Sequence, residues 1–194
     1  KMAESTGLVL PLNSLPYVGT WRGIKQETYE RFEAFTHSDP LFISRINFPI
    51  RDITGKIVAF NGRHTSTGIP KYMISPSGAS MPLFPIVSPV NGSVILVEGI
   101  FDMLNLQDKG LTNSMCCFGT KNINEEKLSI LLMKGVNQVD IFFDGDDAGQ
   151  NAATKVKEMC ESIGLSARNV YLKELDPGAL SETQIHKLRR QLYA

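Results

Sequence analysis

From residue 93 onwards the sequence repeats one cycle, and that cycle limits the fold more than any other feature. "SVILVEG" (93–99) is an unbroken apolar run closed by Gly99, the mark of a strand covered on both faces. "IFDMLNLQDKG" follows as a helical stretch with Gly110 placed to cap its end. The alternation then returns as "NSMCCFG" (strand), "NEEKLSILLMKG" (helix between Asn124 and Gly135), "QVDIFF" (strand), "AGQNAATKVKEMCESIG" (helix) and "RNVYLKEL" (strand). In the last of these helices Ala152, Val156, Met159, Cys160 and Ile163 recur at helical spacing, giving one apolar and one charged face. Strand, helix, strand at these lengths closes as right-handed crossovers, so an α/β fold is expected, a parallel sheet flanked by helices on both sides. "SETQIHKLRRQLY" adds a capping box, Ser181 with Gln184, and a final amphipathic helix carrying Ile185, Leu188 and Leu192.

Residues 1–90 follow a different pattern. "RINFPIRDITGKIVAFNGR" holds two apolar stretches around "RDITGK", which predicts an antiparallel hairpin turning at Thr54-Gly55. A helix is expected over roughly 25–35, and the Pro-, Gly- and Ser-rich stretch 66–93 is expected to wind over the surface as a bridge. The division that follows is a small α+β subdomain over 1–90, an α/β domain over 91–180 and a C-terminal helix over 181–194. With 42% hydrophobic and 21% charged residues, neither a disordered chain nor a disulfide scaffold is expected. No apolar run approaches the roughly 18 residues of a membrane span, and the N-terminal segment lacks a secretory pattern, so a cytoplasmic protein without a membrane partner is expected. Cys116, Cys117 and Cys160 are too few and wrongly spaced for a zinc site and read as core residues. Lys1 ahead of Met2 reads as the remnant of a tag or an excision, and so as a fragment of something longer.

Net charge is zero, but it is unevenly spread: nine Lys and Arg against six Asp and Glu in 1–90, eleven against fourteen in 91–194. A basic part joined to an acidic part suits a polyanion on one side and its metal ions on the other. The acidic residues gather where the strands end. Glu98 closes the first strand of the cycle, and Asp144 and Asp146 close the third, the end at which open α/β sheets bind ligands. Carboxylates brought that close repel one another unless a cation neutralises them, and hard oxygen ligands suit Mg²⁺ or Mn²⁺. A plainer reading stands beside this one: "DGDDAG" is also a turn in which Asp146 or Asp147 caps the helix beginning near Ala148.

"VILVEGIFD", "CCFGT", "DIFFDGDDAGQNAA" and "YLKELDPGAL" resemble, in order and spacing, the motifs of a Toprim domain, the metal-binding fold shared by DnaG-type primases, topoisomerases and some nucleases. The resemblance covers roughly 93–180. Upstream, "WRGIKQETYERFEAF" and "RINFPIRDITGKIVAFNGRHTSTGIPKYMISP" resemble the segment that precedes Toprim in DnaG-type primases. The short spacing between Phe35 and Phe42 is more like the compact phage, plasmid or primase-helicase versions. The resemblance implies a nucleotidyltransferase making short RNA primers on a single-stranded DNA template from ribonucleoside triphosphates, with Mg²⁺ or Mn²⁺ and a replicative helicase as partner. Asp144 and Asp146 would be metal ligands, Glu98 a ligand or the base for the attacking hydroxyl, and Asp176 of "LDPGAL" a ligand of a second metal or part of a turn. Asp147 would be a cap or a supporting acid. Arg45, Arg51, Arg63, Lys71 and Tyr72 would contact nucleotide or template, and Lys121 the triphosphate. Gly62, lacking a Cβ, would let the backbone beside Arg63 approach a phosphate. Two other classes share the motifs, a Toprim nuclease and a non-catalytic module that binds nucleic acid; the upstream hairpin speaks against the first and the intact acids against the second.

Overall fold

The computed structural model describes residues 7–194; Lys1 and Met2 lie outside the described residues. The chain divides into two compact units, the first ending at Pro82 and the second running from Leu83 to Ala194.

The first unit is an antiparallel sheet whose five strands lie side by side in chain order: β1 (Leu15–Pro16), β2 (Phe35–Thr36), β3 (Arg45–Arg51), β4 (Ile57–His64) and β5 (Tyr72–Ser75). The β3–β4 hairpin turns at Thr54-Gly55, as the sequence predicts. Asp52 Oδ1 accepts hydrogen bonds from the Thr54 amide and hydroxyl and from the Lys56 amide, and Gly55 takes the left-handed φ of 83° that the turn requires. The alternating side chains of β3 then serve two layers. Ile46, Phe48 and Ile50 are buried on one face, with Tyr29 stacked on Phe48, while the strand's other face meets the cluster of Phe35, Phe42, Ile57 and Phe60. The helix expected over 25–35 is shorter, α1 at Gln26–Arg31, because Phe35 is drawn into strand pairing with Asn47. The stretch expected to bridge over the surface is also part structure. Tyr72–Ser75 pairs with β4 as β5, and Met81, Leu83 and Phe84 are buried.

The second unit contains β6 (Ser93–Val97), α2 (Ile100–Asp108), β7 (Ser114–Cys116), α3 (Glu125–Met133), β8 (Gln138–Ile141), α4 (Asp147–Ser162), β9 (Ser166–Asn169) and α5 (Glu182–Tyr193). Its sheet is parallel throughout, in the order β7-β6-β8-β9. Val94, Leu96, Val139 and Ile141 point to one face, where they pack with Leu128 and Leu131 of α3 and Ala153, Val156 and Cys160 of α4. On the opposite face Asp140 is fully buried; its carboxylate accepts from Arg168 Nε at 2.8 Å and from the Tyr193 hydroxyl of α5 at 2.7 Å. With Gln138 Nε2 as a third donor at 2.9 Å, this buried carboxylate fixes α5 against the sheet. The capping box of Ser181 and Gln184 is present, and all three cysteines are free and buried. The last strand lies at 166–169, earlier than the expected 168–175, and the chain from Tyr171 to Asp176 is loop. Among the described residues no helix is long and apolar enough to cross a membrane.

Candidate metal centre and basic surface

The strand order decides where the acids meet. From β6 the chain crosses to β7 on one side and later enters β8 on the other, so the crevice beyond the carboxyl ends of β6 and β8 is the topological switch point of the sheet. Register pairs Leu96 with Ile141, so Glu98 and Asp144 leave neighbouring strands together. Glu98 Oε1 accepts a hydrogen bond from the Asp144 amide at 3.2 Å. Asp146 caps α4, its Oδ1 accepting from Gly149 N at 2.7 Å; Asp147 is the first helical residue and not the cap. Gly149 is required by the close approach, since a Cβ there would stand 2.3 Å from the Asp144 carbonyl oxygen.

Charge is concentrated at this point. Burial, and after it the fields of Asp144, Asp146 and Asp176, push the Glu98 carboxyl up, although the Asp144 amide partly opposes this. Burial, Asp176 and Asp146 push Asp144 up as well. Asp176, at the end of the loop after β9, therefore stands within electrostatic reach of both. Sequence reasoning missed one member, Asp102. Its Oδ2 accepts from Gly99 N at 3.0 Å, and burial, followed by the field of Asp144, drives its carboxyl up to about 7. The signal was there: Asp102 lies one helical turn beyond Glu98 in "VEGIFD" and so faces the same sheet end.

The donors are all carboxylate oxygens, which suits a hard divalent cation sharing its shell with water and phosphate. Among the described residues no three acidic, His or Cys side chains already enclose a common point. Glu98, Asp102 and Asp146 each accept a hydrogen bond from a nearby amide. Lys121, exposed, lies in the short 3₁₀ turn Thr120–Asn122, which the Gly119 amide ties to the Glu98 carbonyl at 3.0 Å.

The predicted basic residues of the first unit separate into groups. Arg63 and Tyr72 face each other across β4 and β5, with the guanidinium 5.0 Å from the Tyr72 ring centre and 5.3 Å from that of Trp21. Lys71 is exposed beside them. Arg45 is buried, and its guanidinium donates to the carbonyls of Gly62, Pro70 and Lys71, so it holds the segment that carries Lys71 and Tyr72. Arg51 sits at the opposite end of β3, paired through two nitrogens with Glu33 at 2.8 Å each. The space beside Gly62 is taken by Asn47 Oδ1, 2.5 Å from where a Cβ would stand; packing explains this glycine, where a phosphate was expected.

Two family models match the chain: the Toprim-like family over residues 95–181, and the N-terminal domain of the DNA primase catalytic core over 27–81. A DNA primase of Aquifex aeolicus is 34% identical over 162 residues, 77% of this chain and 32% of that protein. One of Pseudomonas putida is 36% identical over 155 residues, 72% and 23% of the respective chains. The chain thus spans a third or less of these relatives. Among solved structures, the zinc-binding and RNA polymerase domains of the Aquifex aeolicus primase align at a TM-score of 0.73 with 26% identity, over 87% of this chain and 52% of that one. The primase fragment of the bacteriophage T7 primase-helicase aligns at 0.67 with 19% identity, over 98% and 78%, a likeness of fold.

Proposed function

The chain belongs to the DnaG-type DNA primases, as a Toprim catalytic core with the segment that precedes it, and from that premise we propose that it joins ribonucleotides into short primers on a single-stranded DNA template. The observation that carries the proposal is the delivery of Glu98 and Asp144 from adjacent parallel strands to one switch point, with Asp146, Asp176 and Asp102 in electrostatic reach.

Toprim primases in general use divalent metals, and Mg²⁺ or Mn²⁺ bound here would lower the pKa of the attacking 3′-hydroxyl and stabilise the leaving pyrophosphate oxygens. Asp144 and Asp146 would supply ligand oxygens, and Asp176 a further one. Glu98, whose raised pKa makes it a better proton acceptor than an ordinary carboxylate, would complete the shell or take the hydroxyl proton. Asp146 caps α4 through Oδ1, so Oδ2 would be the oxygen it offers the ion. Lys121 would meet the triphosphate. On the first unit, Arg63 and Lys71 would contact phosphates of template or nucleotide without reading sequence, and Tyr72 would offer its exposed ring. Arg45 would act through the backbone it holds. A replicative helicase is the partner that primer synthesis calls for.

Incubation with single-stranded DNA, four ribonucleotides and Mg²⁺ or Mn²⁺ tests the proposal. Oligoribonucleotide should form, and Asp144→Asn should abolish it without changing the fold. Degraded DNA in place of new RNA would move the reading to a Toprim nuclease.

A further inference from the structure

Trp21 belongs to none of the groups assigned above, yet its position is closely specified. It opens a short 3₁₀ turn, Trp21–Gly23, whose middle residue Arg22 adopts a left-handed conformation (φ 59°, ψ 25°) that a side chain with a Cβ seldom takes. The Trp21 carbonyl accepts a hydrogen bond at 2.6 Å from the hydroxyl of Tyr29, which is fully buried and stacked on Phe48 of the central strand. The backbone of Trp21 is thereby tied to the core of the first unit. Its ring lies 5.3 Å from the Arg63 guanidinium, which on the neighbouring strand lies 5.0 Å from the ring of Tyr72, and the Arg22 guanidinium lies 5.8 Å from the same indole.

We infer that Trp21 is the positioning residue of this surface: with Tyr72 it clamps the Arg63 guanidinium in the orientation that meets a phosphate of a single-stranded nucleic acid. This rests on the proposed role of Arg63. An arginine side chain free in water loses much rotamer entropy when it orders on a ligand, and one already held between two aromatic faces loses little. The clamp adds no donor of its own. Cation–π contact engages the faces of the guanidinium, Nε is buried and Nη1 is bonded, so Nη2 is the donor left for a phosphate. Nη1 also donates to the His64 carbonyl at 2.9 Å, which fixes the plane further.

Trp21 is the chain's one tryptophan, so its emission reports on the clamp directly. The test is a double-mutant cycle on binding of fluorescently labelled oligothymidylate, with Trp21→Leu, Arg63→Ala and the pair, each matched to the parent by circular dichroism. Trp21→Leu should weaken binding about 3- to 30-fold, and Trp21→Phe, which keeps an aromatic face, should stay within about threefold. In the Arg63→Ala background Trp21→Leu should change nothing further, because its whole effect passes through the arginine. Arg63→Ala should also shift indole emission in the free protein. Losses that add in the double variant, or equal losses for Phe and Leu, would overturn the inference while leaving Arg63 its proposed role. Unchanged binding by Arg63→Ala would overturn that role itself, and the clamp with it.

Discussion

Asp102 makes the metal-free protein pay for its acidic centre, and the size of that cost is open to measurement. Its carboxyl is raised from an ordinary 3.8 to about 7, chiefly by burial and then by Asp144. A carboxyl whose pKa is higher in the folded state binds more protons folded than unfolded, so its contribution is complete below pH 4 and is lost as pH rises towards 7. At 1.36 kcal/mol per pK unit, the full loss is about 4 kcal/mol. The residue as a whole keeps some exposure, and solvent screening reduces this to about 2 kcal/mol. For a chain of this length that is about 4–8 °C in melting temperature. Asp102→Asn keeps an acceptor for the Gly99 amide and removes the charge. Thermal or urea unfolding without divalent metal, at pH 4.5 and pH 8, should therefore show the stability difference between variant and parent moving by about 2 kcal/mol in the variant's favour across that range. Parallel profiles for the two proteins would refute the reasoning, whatever the absolute stabilities. Glu98 and Asp144 are raised for related causes, so Mg²⁺ should stabilise the parent more at pH 8 than at pH 5.

Further outcomes follow from the same contacts. Asp146→Asn should keep the α4 cap and its stability while losing primer synthesis, whereas Asp146→Ala should lose synthesis and about 1 kcal/mol of stability in urea. Tyr193→Phe removes the hydroxyl that donates to buried Asp140 and should cost about 2 kcal/mol by urea unfolding. Gly62→Ala drives a methyl into Asn47 Oδ1 and should cost about 1–3 kcal/mol by the same measurement. Removing Lys71 should lower the slope of log affinity for single-stranded DNA against log salt by about one, as loss of one phosphate contact does.

The second unit was legible in the sequence because each signal was local. Glycines punctuate the apolar runs, Asn124 and Ser181 cap the helices that follow them, and the covered strands carry continuous apolar residues. The loop after β9 has the sequence of a strand because "NVYL" has strand composition, and only the sheet's geometry ends its pairing at Asn169. In the first unit, β5 escaped notice since Pro70 and Pro76 flank it; pairing to β4 outweighs that local composition. Site residues split the same way. Glu98, Asp144 and Asp146 stand at strand ends that the alternation itself locates. Arg45 and Arg51 look alike in sequence, yet one is buried on carbonyls and the other is paired with Glu33, and those partners lie up to 26 residues away in the chain. Trp21 and Asp102 went unassigned because neither type alone points to chemistry; what marks them is the cation beside one and the acids beside the other.

If Glu98 and Asp144, delivered by adjacent strands, hold a divalent ion together, loss of either carboxylate should weaken its binding. Mn²⁺ binding followed by electron paramagnetic resonance, in the parent chain and in Glu98→Gln and Asp144→Asn, tests it most directly. The parent should take up Mn²⁺ and each variant should bind it at least about tenfold more weakly, no less than loss of an outer-shell partner costs; equal uptake by all three proteins would rule out a shared site.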